Sequence, residues 1–205
     1  TSGYQVNMDF KKVIVKTRET SHVSLSEEEL QILTEVKLND RLGYYRDLFL
    51  IGVYSGQRYS DYSRFNRKYI EGDNIKIRAQ KTGQFSYIPL SKKLKAILDK
   101  YNWQLKTIAS QNFNTAVQDI CRIAGFNETI QVDKFYGSKK VSKDVPRWKM
   151  ISSHTARRSF ITLSLNKGVP DYLIMQVTGI KSLKTLQGYI RFDKKLNKTI
   201  SEAWD

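Results

Sequence analysis

Apolar residues recur every three to four positions through most of the chain, the spacing that gathers them on one face of an α-helix. Ser26 and Glu29 can form a capping box ahead of the first such pattern, and Gly56 ends the second, where a positive φ costs glycine little. Pro170 stands where a later helix can start. Helices are predicted at about 111–124 and in SLSEEELQIL, RDLFLIGVYSG, YSDYSRFN, SKKLKAILDKY, HTARRSFITLSLNKG, PDYLIMQVTG, SLKTLQGYI and KKLNKTISEAW.

The period changes to two residues in the middle of the chain. YIEGDNIKIRAQ alternates around a turn at Gly72–Asp73, and KTG separates it from FSYIPL, which together predict three short strands. VDKFYGSKKVSKDVPRWKM has no clean period and is dense in lysine, so we expect a loop or an irregular hairpin there. The predicted fold class is therefore α+β, mainly α-helical with a small antiparallel three-stranded sheet.

The size of the chain limits the number of domains. Its 205 residues, 40% of them hydrophobic, suffice for one sizeable core. Residues 1–24 are mostly polar, with one β-like patch at Val13–Val15, and are expected to form a linker or arm ahead of a single domain over 25–205. The opening TSGYQVNMDFKK lacks an initiator methionine, so we expect a further region before Thr1. No apolar run reaches transmembrane length, and no membrane partner is expected.

The charge balance indicates the class of partner. Lysine and arginine outnumber aspartate and glutamate by 35 to 20, which gives a net charge of +15. This excess favours nucleic acid as the partner over a merely solvated basic surface. Cys121 is the one cysteine, so an internal disulfide and a cysteine-based zinc site are excluded, as is usual in a reducing compartment. We interpret it as a small apolar residue of its helix.

The chain lacks the common motifs of metal and nucleotide sites. It has no DxD, HExxH, P-loop or GxGxxG sequence, and we expect neither a metal nor another cofactor. Phosphodiester chemistry needs cations that hold the non-bridging oxygens, a nucleophile, and a group that protonates the leaving oxygen. Here those roles would fall to arginine, lysine, histidine and tyrosine.

Two candidate cations lie in the first half of the chain. Arg58 follows the helix that ends at Gly56, and Asp61, three residues later, could brace it or cap the next helix. The alternative is an ordinary surface Arg–Asp pair, which contributes little stability. Lys81 lies at the tip between two strands, where it could reach a DNA groove or donate a proton, or be a common turn lysine.

The second half adds an imidazole, a guanidinium and a phenol. His154 and Arg157 are about one helical turn apart and so share a face. Arg157 could donate bidentate hydrogen bonds to two phosphate oxygens, and His154 could orient or deprotonate a hydroxyl. By itself, His154 is equally consistent with a structural histidine. Tyr189 lies near the end of a short helix and is one of 12 tyrosines, most of which serve packing.

Taken in order, these motifs resemble the tyrosine recombinases of the phage-integrase family. SGQRYSD supplies the family's arginine and acidic residue, QKTG followed by IPL its turn lysine, HTARRSF its HxxR, and TGIKSLKTLQGYI its glycine and tyrosine. The resemblance runs from about residue 25 to the end. SSHTARRSF, KGVP and LIMQVTG look most like integrases of Bacteroides-type mobile elements.

The resemblance implies a metal-independent reaction. Tyr189 would attack the scissile phosphate to form a 3′-phosphotyrosine, while Arg58 and Arg157 hold the non-bridging oxygens. Lys81 would protonate the leaving 5′-oxygen, and His154 would help to remove the tyrosine proton. A second strand's 5′-hydroxyl would reverse the attack and complete strand exchange.

One family position departs from the pattern. Nine residues before Tyr189, where the family usually has histidine or tryptophan, stands Ile180, which cannot donate a hydrogen bond to phosphate. It could still supply packing. Two alternatives therefore stay open: a DNA-binding member of the fold with weakened or lost activity, and a type IB topoisomerase-like enzyme that relaxes supercoils.

The resemblance also implies an architecture and partners. This chain would be the catalytic domain alone, and a helical core-binding domain would precede it. The partners would be double-stranded DNA, contacted in part by Arg78 and Arg158, and other protomers of a recombinase tetramer. RFDKKLNKTISEAW would dock on a neighbouring protomer, although it could equally pack on its own chain. The isolated domain is expected to be a monomer, working in the bacterial cytoplasm at the nucleoid.

Overall fold

The computed structural model of the chain describes residues 23–136 and 139–189. The arm expected over 1–24, apart from its last two residues, and the helix expected in KKLNKTISEAW lie outside these ranges. Eight helices and five strands make up the described part, together with two 3₁₀ turns, at Arg67–Tyr69 and Arg147–Met150. The helices are α1 (Glu27–Glu35), α2 (Asp40–Ser55), α3 (Tyr59–Tyr62), α4 (Lys92–Lys100), α5 (Ser110–Ile123), α6 (Ser153–Asn166), α7 (Asp171–Thr178) and α8 (Leu183–Gln187).

The helix ends follow the capping residues. Ser26 and Glu29 form the predicted capping box at the start of α1. α2 begins at Asp40, six residues before the predicted start at Arg46, because the side chain of Asn39 accepts a hydrogen bond from the amide of Leu42 and caps the helix. α2 ends at Gly56 in the left-handed conformation, as expected. None of the described helices has the length and hydropathy needed to cross a membrane.

The central sheet has the predicted three strands, β1 (Ile70–Glu71), β2 (Asn74–Arg78) and β3 (Phe85–Pro89). They are antiparallel in the order β1-β2-β3. Ile75, Ile77 and Ile88 are buried, whereas the alternate residues of β2 and β3 face outward, so one side of the sheet covers the core. The prediction of a mainly helical α+β chain with this sheet is confirmed.

The lysine-rich segment is more regular than the sequence indicated. β4 (Thr129–Tyr136) and β5 (Lys139–Pro146) pair antiparallel without a bulge, from Thr129 opposite Pro146 to Tyr136 opposite Lys139. The expectation of a loop or irregular hairpin is corrected to a regular two-stranded hairpin. Lysines on both strands hide the period of two, but β-branched pairs such as Ile130 opposite Val145 set the register.

Two hydrophobic cores divide the described residues. The larger joins α1, α2, the sheet, α4 and α5 with the start of α6, and it includes Cys121, which is fully buried. Burial raises the pKa of the Cys121 thiol to about 12, consistent with an inert packing residue. The smaller core contains four buried residues from α6, α7, the loop after α7, and α8: Ile161, Ile174, Ile180 and Leu186. The chain from α7 onward supplies three of these four residues, and Val177 of α7 packs against the larger core.

Candidate active site

Arg157 lies at the centre of the candidate site. It is on the second turn of α6 and only 1% exposed, although arginine is almost never fully buried unless paired. Its Nη1 donates a hydrogen bond of 3.0 Å to the carbonyl oxygen of Gly56. Among the described residues, the buried Nε and Nη2 make no hydrogen bond of regular geometry, although the Tyr189 hydroxyl is near enough to the guanidinium to raise its pKa. The guanidinium is thus fixed at one nitrogen and keeps donors ready for another acceptor.

Gly56 makes this contact possible. Its φ is +66°, and a Cβ at this position would lie 2.4 Å from the Phe160 ring. Only glycine fits such a turn without strain. The turn therefore brings the Gly56 carbonyl to Arg157 and places Arg58 two residues further along.

Arg58 precedes α3 and is half-buried. Its positive charge acts on Arg157: burial lowers the pKa of Arg157, Arg58 lowers it further, and Tyr189 and Asp61 raise it. Two guanidinium groups and a phenol thus lie within electrostatic range of one another.

Asp61 does not take either role expected of it. It lies inside α3 rather than at its cap, and its Oδ1 accepts from Arg64 Nη2 at 3.2 Å and from the Gln80 amide at 2.8 Å. Its fully buried carboxylate therefore ties α3 to the turn between β2 and β3 instead of bracing Arg58. In the described part of the chain its Oδ2 has no hydrogen-bond partner.

Lys81 is exposed on that turn, immediately after the amide that Asp61 binds. The turn closes through hydrogen bonds from Ala79 to Gln84 at 2.7 Å and from Gly83 to Ala79 at 2.9 Å. The turn that carries the lysine is held by Asp61, whose negative charge also raises the pKa of Arg157. The Lys81 side chain itself is exposed to solvent.

His154 and Tyr189 face each other from different elements. His154 is exposed on the first turn of α6, and its ring centroid is 6.5 Å from that of Tyr189. Tyr189 follows α8, with its amide donating to the Leu186 carbonyl at 2.9 Å, and it packs against the smaller core. The phenol is half-buried and close enough to raise the pKa of Arg157.

Ile180 has a packing role in the structure. It is 8% exposed and lies in the smaller core, and its amide donates to the Met175 carbonyl at 3.2 Å. Gly179 before it ends α7 with a φ of +67°. The apolar side chain thus stabilises the segment that carries Tyr189.

The two further arginines expected to contact DNA lie on different elements. Arg78 is exposed on β2, where its Nε donates to the Gly83 carbonyl at 2.8 Å and so braces the Lys81 turn. Arg158 is half-buried on α6, next to Arg157. A contact of either one with DNA stays a prediction.

One polar residue of the site was not identified from the sequence. Gln57 is 1% exposed, and its Nε2 donates to the Val177 carbonyl of α7 at 2.6 Å. A glutamine between glycine and arginine gives no signal in a single sequence, because its partner is 120 residues away.

The geometry assembles four of the five predicted catalytic side chains in one region. Arg58, Arg157, His154 and Tyr189 interact as described, whereas Lys81 is exposed on a turn whose Gln80 amide donates to Asp61. Arg58 and Arg157, the second of which has two buried nitrogens without a regular hydrogen bond, can bind a phosphate and stabilise the charge that develops on its oxygens. Across the described residues, histidine, cysteine, aspartate and glutamate form no group of three able to hold a metal ion.

Comparison with known proteins relates these features to one family. Residues 23–195 match the family model described as the phage integrase family. A search of curated proteins gave no match.

Solved structures share the fold at low sequence identity. A lambda integrase dimer bound to a COC′ core site is 18% identical, with a TM-score of 0.64, over 92% of this chain and 55% of that one. XerH recombinase bound to its difH substrate is 18% identical, with a TM-score of 0.59, over 90% of this chain and 54% of XerH. The Tn1549 transposon integrase with circular intermediate DNA is 13% identical, with a TM-score of 0.56, over 86% and 64%. This chain therefore spans little more than half of the first two proteins.

Proposed function

The chain belongs to the phage integrase family, and from this premise we propose that it is the catalytic domain of a site-specific DNA recombinase. It would cleave and rejoin DNA strands through a 3′-phosphotyrosine at Tyr189, without a metal ion. The observation that carries this proposal is Arg157, which is 1% exposed and keeps two donors unpaired among the described residues, beside Arg58 and the Tyr189 phenol. A scissile phosphate would supply the missing acceptors.

We assign each side chain a role from the family resemblance and from its position. Arg157 and Arg58 would hold the two non-bridging oxygens and stabilise the charge that grows as Tyr189 attacks. His154, whose ring faces that of Tyr189, would accept the phenolic proton directly or through water. Lys81, on its exposed turn, would protonate the leaving 5′-oxygen. Tyr189 would thus be bonded to phosphorus after cleavage, and the 5′-hydroxyl would be free to reverse the step.

Ile180 would lower the rate rather than abolish the reaction. It removes one donor to phosphate, yet its burial in the smaller core retains the packing that positions the tyrosine segment. The inactive DNA-binding member remains the alternative, and the covalent intermediate separates the two.

The proposal includes partners and a place of action. Double-stranded DNA would lie against the basic surface that includes Arg78 and Arg158, and other protomers would join this chain in a tetramer on paired sites. Residues 1–24 would link the domain of residues 25–205 to a DNA-binding region ahead of it. An enzyme of this kind would act where the chromosome lies, in the cytoplasm at the nucleoid.

Covalent selection of DNA tests the proposal and identifies the target sequence in the same experiment. Nicked duplexes with a randomised centre are incubated with the protein, and the DNA that stays attached after denaturation is sequenced. We expect the protein to retain one enriched sequence, and Tyr189→Phe to retain none while its affinity for that duplex changes by less than about twofold, since the phenol contributes chemistry rather than charge.

Other outcomes would refute specific parts. Attachment that persists in Tyr189→Phe would remove Tyr189 as the nucleophile. Enrichment by binding alone, with no covalent DNA, would favour the inactive alternative. Attachment without sequence preference, together with plasmid relaxation, would favour a topoisomerase.

A further inference from the structure

Gln57 connects the two halves of the candidate site. It lies between Gly56, whose carbonyl holds Arg157, and Arg58. Its buried amide reaches across to α7, where Nε2 donates to the Val177 carbonyl at 2.6 Å and also approaches the Ser55 carbonyl at 3.3 Å. One side chain therefore spans from the arginine turn to a different helix.

The acceptor of this bond lies near the end of α7. The last carbonyls of a helix have no partner within it and need another donor. Of these, Met175 receives the amides of Gly179 and Ile180, and Val177 receives the Gln57 side chain. Gln57 thus helps to fix the place where α7 ends and the chain turns toward Tyr189.

The two ends of this hydrogen bond belong to different elements, the turn after α2 and the end of α7. Helix α2 and the Val177 side chain both pack in or against the larger core, whereas Ile180 and Tyr189, which follow Val177 in the chain, lie in and on the smaller one. The distance between the arginines and the phenol therefore depends on how the end of α7 is held against the arginine turn. A short, partly buried hydrogen bond at this point restrains that distance more tightly than apolar contact, which is not directional.

We propose that Gln57 is a positioning residue that holds the segment carrying Tyr189 at the correct distance from the Arg58–Arg157 pair. This inference rests on the proposed function, because it concerns the nucleophile of that reaction. Gln57 acts through Val177 and touches neither the phosphate nor the phenol. Its loss should slow cleavage of bound DNA and leave the binding of DNA by the arginines intact.

Two substitutions remove the contact in different ways. Gln57→Met keeps the length of the side chain but has no N–H donor, and Gln57→Asn keeps the amide but is one methylene too short to reach Val177. Gln118→Met is the matched control, because the Gln118 amide also donates to a backbone carbonyl, that of Lys149 at 3.1 Å, but does not connect the arginine turn to α7. Thermal unfolding establishes that each variant is folded.

The assay separates binding from chemistry. The rate of covalent attachment to a nicked duplex obtained by the covalent selection is measured over a range of protein concentrations, which gives a maximal rate and a half-saturating concentration. We expect both Gln57 variants to lower the maximal rate roughly 10- to 100-fold, the effect of a misplacement near 1 Å. The half-saturating concentration should change by less than about twofold, and Gln118→Met should change neither value by more than about twofold.

Amide hydrogen exchange gives a second readout that needs no DNA. In Gln57→Met and Gln57→Asn, exchange at the amides of Gly179 and Ile180 should become faster than in the unsubstituted protein, because the end of α7 loses a restraint. Unchanged exchange, or wild-type maximal rates in both variants, would overturn the inference. A higher half-saturating concentration at an unchanged maximal rate would overturn it as well. Absence of any attachment in the unsubstituted protein would instead refute the proposed function, and the exchange result would then decide on Gln57 alone.

Discussion

Replacing Arg157 with methionine should make the unbound protein more stable while it abolishes covalent attachment to DNA. The side chain is 1% exposed, and within the described ranges only Nη1 has a hydrogen-bond partner, the Gly56 carbonyl at 3.0 Å. A buried donor without an acceptor destabilises the folded state, since it was hydrated in the unfolded chain. Methionine has a similar length, is apolar and adapts to irregular space.

The size of the effect follows from the separate contributions. Removal of two unpaired buried donors should gain about 2–6 kcal/mol at 1–3 kcal/mol each, and loss of the Gly56 hydrogen bond should cost about 1–3 kcal/mol. At the midpoints of these ranges, the net expectation is a stabilisation of about 2 kcal/mol. For a chain of this size that corresponds to a rise in melting temperature of about 4–8 °C.

Unfolding in guanidinium chloride, with and without millimolar sulfate at matched ionic strength, measures this prediction. Sulfate should stabilise the unsubstituted protein by occupying the donors of Arg157, and this stabilisation should be absent from Arg157→Met. Arg122→Met is the control, because Arg122 is exposed on α5 with a weak 3.5 Å pair to Asp119, so its replacement should change stability by less than about 0.5 kcal/mol. A less stable Arg157→Met protein, or an equal response to sulfate in both, would refute the reasoning about unpaired donors.

Two further substitutions test the scaffold. Gly56→Ala should destabilise the protein by about 2–3 kcal/mol and slow covalent attachment, because the φ of this residue is +66° and the new Cβ would lie 2.4 Å from the Phe160 ring. A melting temperature within about 2 °C of that of the unsubstituted protein, roughly 1 kcal/mol, would contradict this. Asp47→Asn should lower stability at neutral pH and flatten its decline in acid. Burial raises the pKa of Asp47, but hydrogen bonds from Lys100 at 2.6 Å and Tyr101 at 2.7 Å outweigh it and hold the pKa below its ordinary value. The stability from these hydrogen bonds is complete above the pKa of about 4 that an aspartate has in the unfolded chain. It is lost as the pH falls through the lower pKa of Asp47 in the folded protein, so equal acid unfolding curves for the two proteins would refute this role of Asp47.

Local signals made most of the fold predictable. The capping box at Ser26 and the glycine at Gly56 involve residues within a few positions of each other, and the structure has both. Ile75, Ile77 and Ile88 alternate with outward-facing residues, which is enough to predict paired strands. The β4–β5 hairpin was less clear, because lysines occupy positions on both of its strands and hide the alternation.

The candidate site residues could be proposed from the sequence, but their contacts could not. Ordered motifs identified Arg58, Arg157 and Tyr189 because their types and spacing survive without a structure. Asp61 accepts a hydrogen bond from the Gln80 amide, 19 residues away, and Gln57 donates one to Val177 of α7, 120 residues away. Both contacts depend on tertiary packing. A single sequence contains no local pattern for such contacts, so these supporting interactions became visible only with the fold.

The smaller core gives a reason for isoleucine at position 180, where the family usually has histidine or tryptophan. The segment after α7 has only a small core, in which Ile180 is one of four buried side chains. A polar side chain there would gain a contact to phosphate but remove apolar area from the core that fixes Tyr189, and small cores tolerate such a loss poorly. The Gln57 bond to Val177 strengthens the same segment from the other side. In the proposed reaction, Ile180 and Gln57 would together place the phenol accurately and so compensate for one missing contact to the phosphate.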